Sequence, residues 1–177
     1  MQRIGYLLLT FAVAGVISCK NEKVKQVTSA DICKSYCTNS KASYFNVPPG
    51  IVSLFLDESK QGNKELKDLL IDVKELSFLI INKNIDEERN CKIYRELNER
   101  LDSINFYDVA QINNSREIIR VKVDKQAKHF KELVVLVSKN DALYCISFKG
   151  KIHSKKVINL VKPENVVAVT NLDRFKH

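Results

Sequence analysis

Residues 114–150 read NSREIIRVKVDKQAKHFKELVVLVSKNDALYCISFKG, and this stretch decides the fold. Ile119, Val121 and Val123 alternate with Arg120, Lys122 and Asp124, the period of a strand with one covered face. Leu133–Val137 is apolar throughout and reads as a central strand buried on both faces. Lys139-Asn140-Asp141 makes a tight turn. Leu143–Phe148 then pairs back, with Gly150 ending it. Three strands joined by short turns form an antiparallel meander over about 114–150.

Working outward, Leu76–Ile81 is an apolar run broken only by Ser77, a further strand buried on both faces. Between it and the meander lies the best helix of the chain, about 86–103. It carries Cys91, Tyr94, Leu97, Leu101 and Ile104 at spacings of three and four, and Asn84-Ile85-Asp86-Glu87 supplies capping-box spacing before it. Phe106–Ala110 reads as a short edge strand. Upstream, Ser29 is placed to cap a helix over about 30–41 with Ile32, Cys33, Tyr36 and Cys37 on one face. Ser43–Val47 is a short strand, ended by Pro48-Pro49-Gly50. Pro49 can open a short helix through Ile51, Val52, Leu54 and Phe55. Gln61-Gly62-Asn63 is a turn before a short helix over 64–72. Downstream, residues 153–161 suit a final helix stopped by Pro163, and 163–177 read as a tail. The expected class is α+β: an antiparallel sheet, the 114–150 meander plus a strand near 76–81, with helices packed mainly on one face.

The N-terminus, MQRIGYLLLTFAVAGVISCKNEK, is an address. Arg3 precedes fifteen uncharged positions, 4–18, too few for a comfortable span of about 20 residues but suited to a signal peptide. Val16-Ile17-Ser18-Cys19 resembles the bacterial lipobox, in which the Cys thiol accepts a diacylglycerol before cleavage. Residues 1–18 are therefore expected to be a lipoprotein signal, Cys19 the lipidated residue, 19–29 a tether, and 30–162 the domain. Several acyl chains on one residue hold a protein at a membrane almost permanently.

Cleavage leaves 159 of 177 residues and, with Arg3 gone, lowers the formal net charge from +8 to +7. In an exported protein that balance suits anionic lipid or glycan rather than nucleic acid. Four further cysteines remain: Cys33, Cys37, Cys91 and Cys145. Three pairings are open to them. A Cys33–Cys37 bridge is disfavoured in a regular helix, whose side-chain spacing of about 5–6 Å exceeds the disulfide requirement of roughly 3.5–4.5 Å. Buried free thiols are the expected state.

Catalytic patterns are sparse. Gly50, Gly62 and Gly150, the three glycines left after cleavage, are scattered, so no glycine-rich loop can cradle a phosphate. His129, His153 and His177 form no metal-binding pair, and there is no G-x-S-x-G elbow. Cys145 sits mid-strand, where a core residue belongs. Asp86-Glu87-Glu88 is an acidic first helical turn that complements the macrodipole. Tyr44, Phe45, Phe55 and Phe78 read as core. The expectation is a protein without cofactor, metal or catalytic residue. One basic surface stands out, Lys149, Lys151, His153, Lys155 and Lys156; it reads first as a solvated turn, and alternatively as a grip for an anionic headgroup, glycan or acidic partner.

The order of these parts resembles a family of small envelope lipoproteins known as domain of unknown function 4252. The resemblance rests on the lipobox at Cys19, SYCTNSKASYFNVPPGIVSLFL, the strand KELSFLIIN, the helix YRELNERL, the strands REIIRVKVD and KELVVLVSK, and ALYCISFKGKI before a short helix. It covers about residues 30–162. It implies a class and a location, and it supplies no catalytic or ligand residues. The function expected is a membrane-anchored, non-enzymatic binding or assembly module, with anionic lipid or glycan binding, or a thiol or hydrolase activity, as alternatives. Lys20 follows Cys19 in place of the Asp that retains some lipoproteins at the inner membrane. The periplasmic face of the outer membrane is thus the expected location.

Overall fold

The computed structural model describes residues 27–39, 42–82, 87–114, 117–126 and 129–172. Cys19 and the expected capping box from Asn84 lie outside them. The class is the one the periodicities predict, α+β with an antiparallel meander. Six strands, β1 (Ala42–Val47), β2 (Val73–Asn82), β3 (Phe106–Asn113), β4 (Glu117–Gln126), β5 (His129–Lys139) and β6 (Ala142–His153), form one sheet in the order β1-β2-β6-β5-β4-β3. All neighbours are antiparallel. The LVVLV run is central, and the alternating strand lies one place in from the edge strand β3.

Both faces of the sheet are covered, each by its own core. On one face α2 (Pro49–Leu54), α3 (Asn63–Leu70), α5 (Ser154–Leu160) and α6 (Pro163–Thr170) pack Val52, Leu66, Leu69, Val157, Leu160 and Val169 against Leu76, Phe78, Val121, Val135 and Ile146. On the other, α1 (Ser29–Ser35) and α4 (Glu87–Asp102) pack Ile32, Cys33, Leu97 and Leu101 against Leu79, Val134, Leu136 and Cys145. Four helices thus share one face, as expected. The two on the other explain why β2, β5 and β6 are apolar on both sides.

Several local expectations change. The tail beginning at Pro163 is in fact α6: proline fits the first turn of a helix, where its missing N–H is not needed. Val166, Ala168, Val169 and Leu172 are buried, so the domain extends past residue 162. Gly62 binds this helix closely, since a Cβ there would lie 2.2 Å from the Asn165 carbonyl oxygen. Gly150 does not end β6, which continues to His153. Its hydrogen side chain admits the backbone of Asp72, whose carbonyl would lie 2.0 Å from a Cβ.

The cap of α1 is Thr28 rather than Ser29. Thr28 Oγ1 accepts from the Asp31 amide, and the Asp31 carboxylate accepts from the Thr28 amide. The helix tightens into a 3-10 turn over Tyr36–Asn39 instead of continuing to 41. Phe45 and Phe78 stack at 5.4 Å, but Phe55 is 63% exposed at the end of α2 rather than core. Arg120 and Lys122, which the alternation places toward solvent, lie instead beneath α4. Lys122 is fully buried and reaches Asp102, and Asp108 at 2.9 Å. Those two carboxylates make its burial tolerable.

Candidate functional site

The basic surface read from the sequence divides into two parts. Asp72, at the entrance to β2, captures two of its five members. His153 donates its backbone N–H to Asp72 Oδ2, 3.1 Å away, and its ring Nδ1 lies 3.0 Å from the same oxygen. Lys156 donates to Asp72 Oδ1 at 3.0 Å and to the Asp68 carbonyl at 2.8 Å. Burial pushes the Asp72 carboxyl up, but the bonds from His153 and Lys156 outweigh it and lower its pKa. Burial likewise opposes the Lys156 ammonium, and the Asp72 and Asp68 carboxylates more than offset it. These contacts fasten the β6–α5 junction to the α3–β2 junction. Lys149 is half-buried on the α1 face, opposite Glu132 in the strand register. Lys151 and Lys155 are exposed.

The groups with potential for covalent chemistry are built into the core. Cys145 and Cys33 are buried between β6 and α1 with their sulfurs 3.6 Å apart. The Cys33 thiol and complete burial hold the Cys145 thiol well above its ordinary range, which makes it a poor nucleophile. All four described cysteines are free thiols, as expected, but only Cys33 and Cys145 are buried; Cys91 is exposed. One step along the strands, the buried Glu132 carboxylate accepts hydrogen bonds from the hydroxyls of Ser29 and Ser147. Among the described residues no cluster of His, Cys, Asp and Glu could hold a metal ion.

A cavity of about 320 Å³ lies between the middle of α4 and the sheet. Cys91, Tyr94, Arg95 and Asn98 line it from the helix, at spacings that put them on one face. Ile118 and Arg120 of β4 and Ser138 of β5 form its floor. The Arg120 guanidinium is held at its far end: Nη1 donates to Asn98 Oδ1 at 3.2 Å and Asp108 Oδ2 at 3.3 Å, and Nη2 to Gln111 Oε1 at 2.7 Å. Burial raises the Tyr94 hydroxyl's pKa, and the charge and side-chain hydrogen bonding of the neighbouring Arg120 offset only part of the rise. Tyr94 Oη and Arg120 Nε are both buried; Arg120 is the near neighbour of the hydroxyl, but neither atom makes a well-aligned hydrogen bond. Sequence reading misses this site, because Arg120 looks like the wet side of a half-exposed strand and Tyr94 like core.

The family described as Domain of unknown function (DUF4252) matches residues 36–160, more than half of the chain. The chain belongs to that family. The match begins at Tyr36, directly after α1, and ends at Leu160, the last residue of α5. In this member of DUF4252, α1 and α6 lie outside the matched segment and pack against the two cores. No curated protein and no solved structure matches the chain.

Proposed function

We propose that this DUF4252 protein is a lipid-anchored lipoprotein of the cell envelope. In this reading acyl chains on Cys19 hold it at the periplasmic face of the outer membrane. Its folded domain is a non-enzymatic binding module that rests one end of its sheet on an anionic lipid surface. The observation that carries the reading is where the tether enters. Ser29, the first residue of α1, bonds to Glu132 near the start of β5, beside Ser147 near the end of β6. The chain from Cys19 therefore reaches the domain at the end of the sheet where β6 finishes. Exposed Lys74, Lys151 and Lys155 cluster at that end, together with Ile71, 76% exposed, and Ile158, 61% exposed. Residues 20–28 span at most about 30 Å when extended, so the anchor keeps this end near the bilayer. Lysines meeting anionic headgroups, with apolar side chains between them, form a membrane-facing surface. Among the described residues no helix is long and apolar enough to cross a membrane, and a lipid anchor requires none.

Metabolic labelling with palmitate, followed by separation of inner and outer membranes, tests the anchor. Wild-type chain is expected to carry label and fractionate with the outer membrane. Cys19→Ala is expected to lose the label and the association together. Equal labelling of the two proteins would refute the reading.

A further inference from the structure

We infer that the cavity beneath α4 is a binding site for a carboxylate-bearing small molecule or chain terminus. The inference is independent of the anchor: Ile118 and Ser138 pair with each other near the β5–β6 turn, at the end of the sheet away from the tether.

The first argument is the pair of orphaned groups. A buried polar atom without a partner loses its bonds to water and gains nothing in return. Native structures hold few of them, and each calls for an explanation. Here two line one cavity. Arg120 Nε carries a hydrogen that can only be donated. Tyr94 Oη carries a hydroxyl that can be donated to an anion. An acceptor entering between Ile118 and the α4 side chains, with a small turn of the Tyr94 side chain to uncover the two atoms, would satisfy both.

The second argument is charge. Arg120 and Lys122 are balanced by Asp108 and Asp102, which contact them at the far side of the cluster. Arg95 lines the cavity, and it makes no ion pair with another described residue. Among the described residues the unbalanced charge at the cavity is therefore a single positive one. That suits a monoanion better than a phosphate dianion. A planar carboxylate accepting from Arg120 Nε and Tyr94 Oη, with Arg95 above it, uses every free donor. The arginines bring charge and fixed geometry together.

The third argument is shape. The volume lies at the lower end of the range for small-molecule sites, and Ile118 and Cys91 give it apolar wall beside the polar groups. The positions are also rigid. Tyr94 and Asn98 sit on a sixteen-residue helix, while Arg120 sits on an interior strand and is clamped by three side chains. Little ordering cost remains to be met on binding.

The test is a titration of the ¹⁵N-labelled full chain followed by amide chemical shifts. The probes are benzoate, benzamide, the dipeptide N-acetyl-Ala-Ala, and its C-terminal amide. Either free acid is expected to shift the amides of 91–98, 118–120 and 138, while the amides of the two probes leave them unmoved. Benzoate alone would identify a small aromatic acid as the ligand class, and the peptide acid alone a chain terminus. Tyr94→Phe keeps the ring and removes the hydroxyl, and is expected to weaken binding about tenfold or more, the worth of a hydrogen bond to a charged group. Arg95→Gln, at the solvent-exposed rim of the cavity, is expected to weaken it similarly without altering the thermal melt. Equal shifts from acid and amide probes would overturn the inference, as would the absence of shifts from all four. Unchanged affinity in both variants would do the same.

Discussion

Glu132 has an effect larger than its size. It is 7% exposed, sits at a bulge in β5, and receives two serine hydroxyls on one oxygen. One of them, Ser29, is the first residue of α1, so the carboxyl pins that helix to the sheet. Burial pushes its pKa above the ordinary glutamate value; the bonds from Ser147 and Ser29 and the charge of Lys149 only partly oppose this. A carboxyl whose pKa is raised by folding binds its proton more tightly in the native state. Its contribution is full below the unfolded value and is lost as pH rises through the folded one. Glu132→Gln keeps an oxygen for the two serines and carries no charge. The melting temperature of this variant is expected to match or exceed that of wild type at pH 8, and to vary less between pH 5 and pH 8. Thermal melts across that range check it; a variant that loses more stability at pH 8 than at pH 5 would show the carboxylate to be the stabilising form.

At the scale of elements, α4 joins the sheet through a charged contact rather than a purely apolar one. Its last residue, Asp102, and Asp108 of β3 both reach the buried Lys122 of β4. The acids are 48% and 42% exposed while the lysine has no exposure, so the two sides are not equivalent. Removing both acids strands a charge in the core, which is expected to cost about 3–5 kcal/mol in urea unfolding of Asp102→Ala/Asp108→Ala. Adding Lys122→Met to that double variant should restore most of the loss. Lys122→Met alone should cost far less, because water can solvate the acids. Equal losses from the double variant and from Lys122→Met would refute this. The same contact marks how far the sequence could be read. The apolar run of β5 and the alternation of β4 declare themselves by period, because side-chain direction along a strand is local. Whether the polar side of β4 meets water depends on α4, which is distant in sequence, and Arg120 and Lys122 give no local sign of it. The cavity was hidden for the same reason, since it exists only where one helix face meets two strands. Pro163 does end the helix before it, as its sequence position implies, but the tail expected after it is a helix for a different reason: the residue that cannot continue a helix is also well suited to start one.

For the whole molecule, the proposed anchor gives the two ends of the sheet different work. One end, where α1 enters, presents Lys74, Lys151, Lys155, Ile71 and Ile158; the other carries the cavity beneath α4. A module anchored through the first end would hold the second away from the bilayer, open to whatever passes. This arrangement makes a prediction about orientation that is separate from whether Cys19 is lipidated. The chain contains no tryptophan, so single substitutions report one position each. The Trp of Ile71→Trp or Ile158→Trp is expected to shift to the blue and be quenched by bromine-labelled lipid when the full chain is reconstituted in vesicles of mixed anionic and zwitterionic lipid. That of Val167→Trp, on α6 close to the β5–β6 turn, should stay unquenched. Because lysine attraction is screened, raising the salt from about 0.1 M to about 1 M shortens the screening length from about 10 Å to about 3 Å and should reduce the quenching at both positions. Replacing Lys151 and Lys155 with Glu should reduce it further still, with the protein remaining on the vesicle through its lipid. Equal quenching at Ile158 and Val167 would mean that the domain tumbles freely on its tether. The lysine end would then be a solvated surface and not a membrane face.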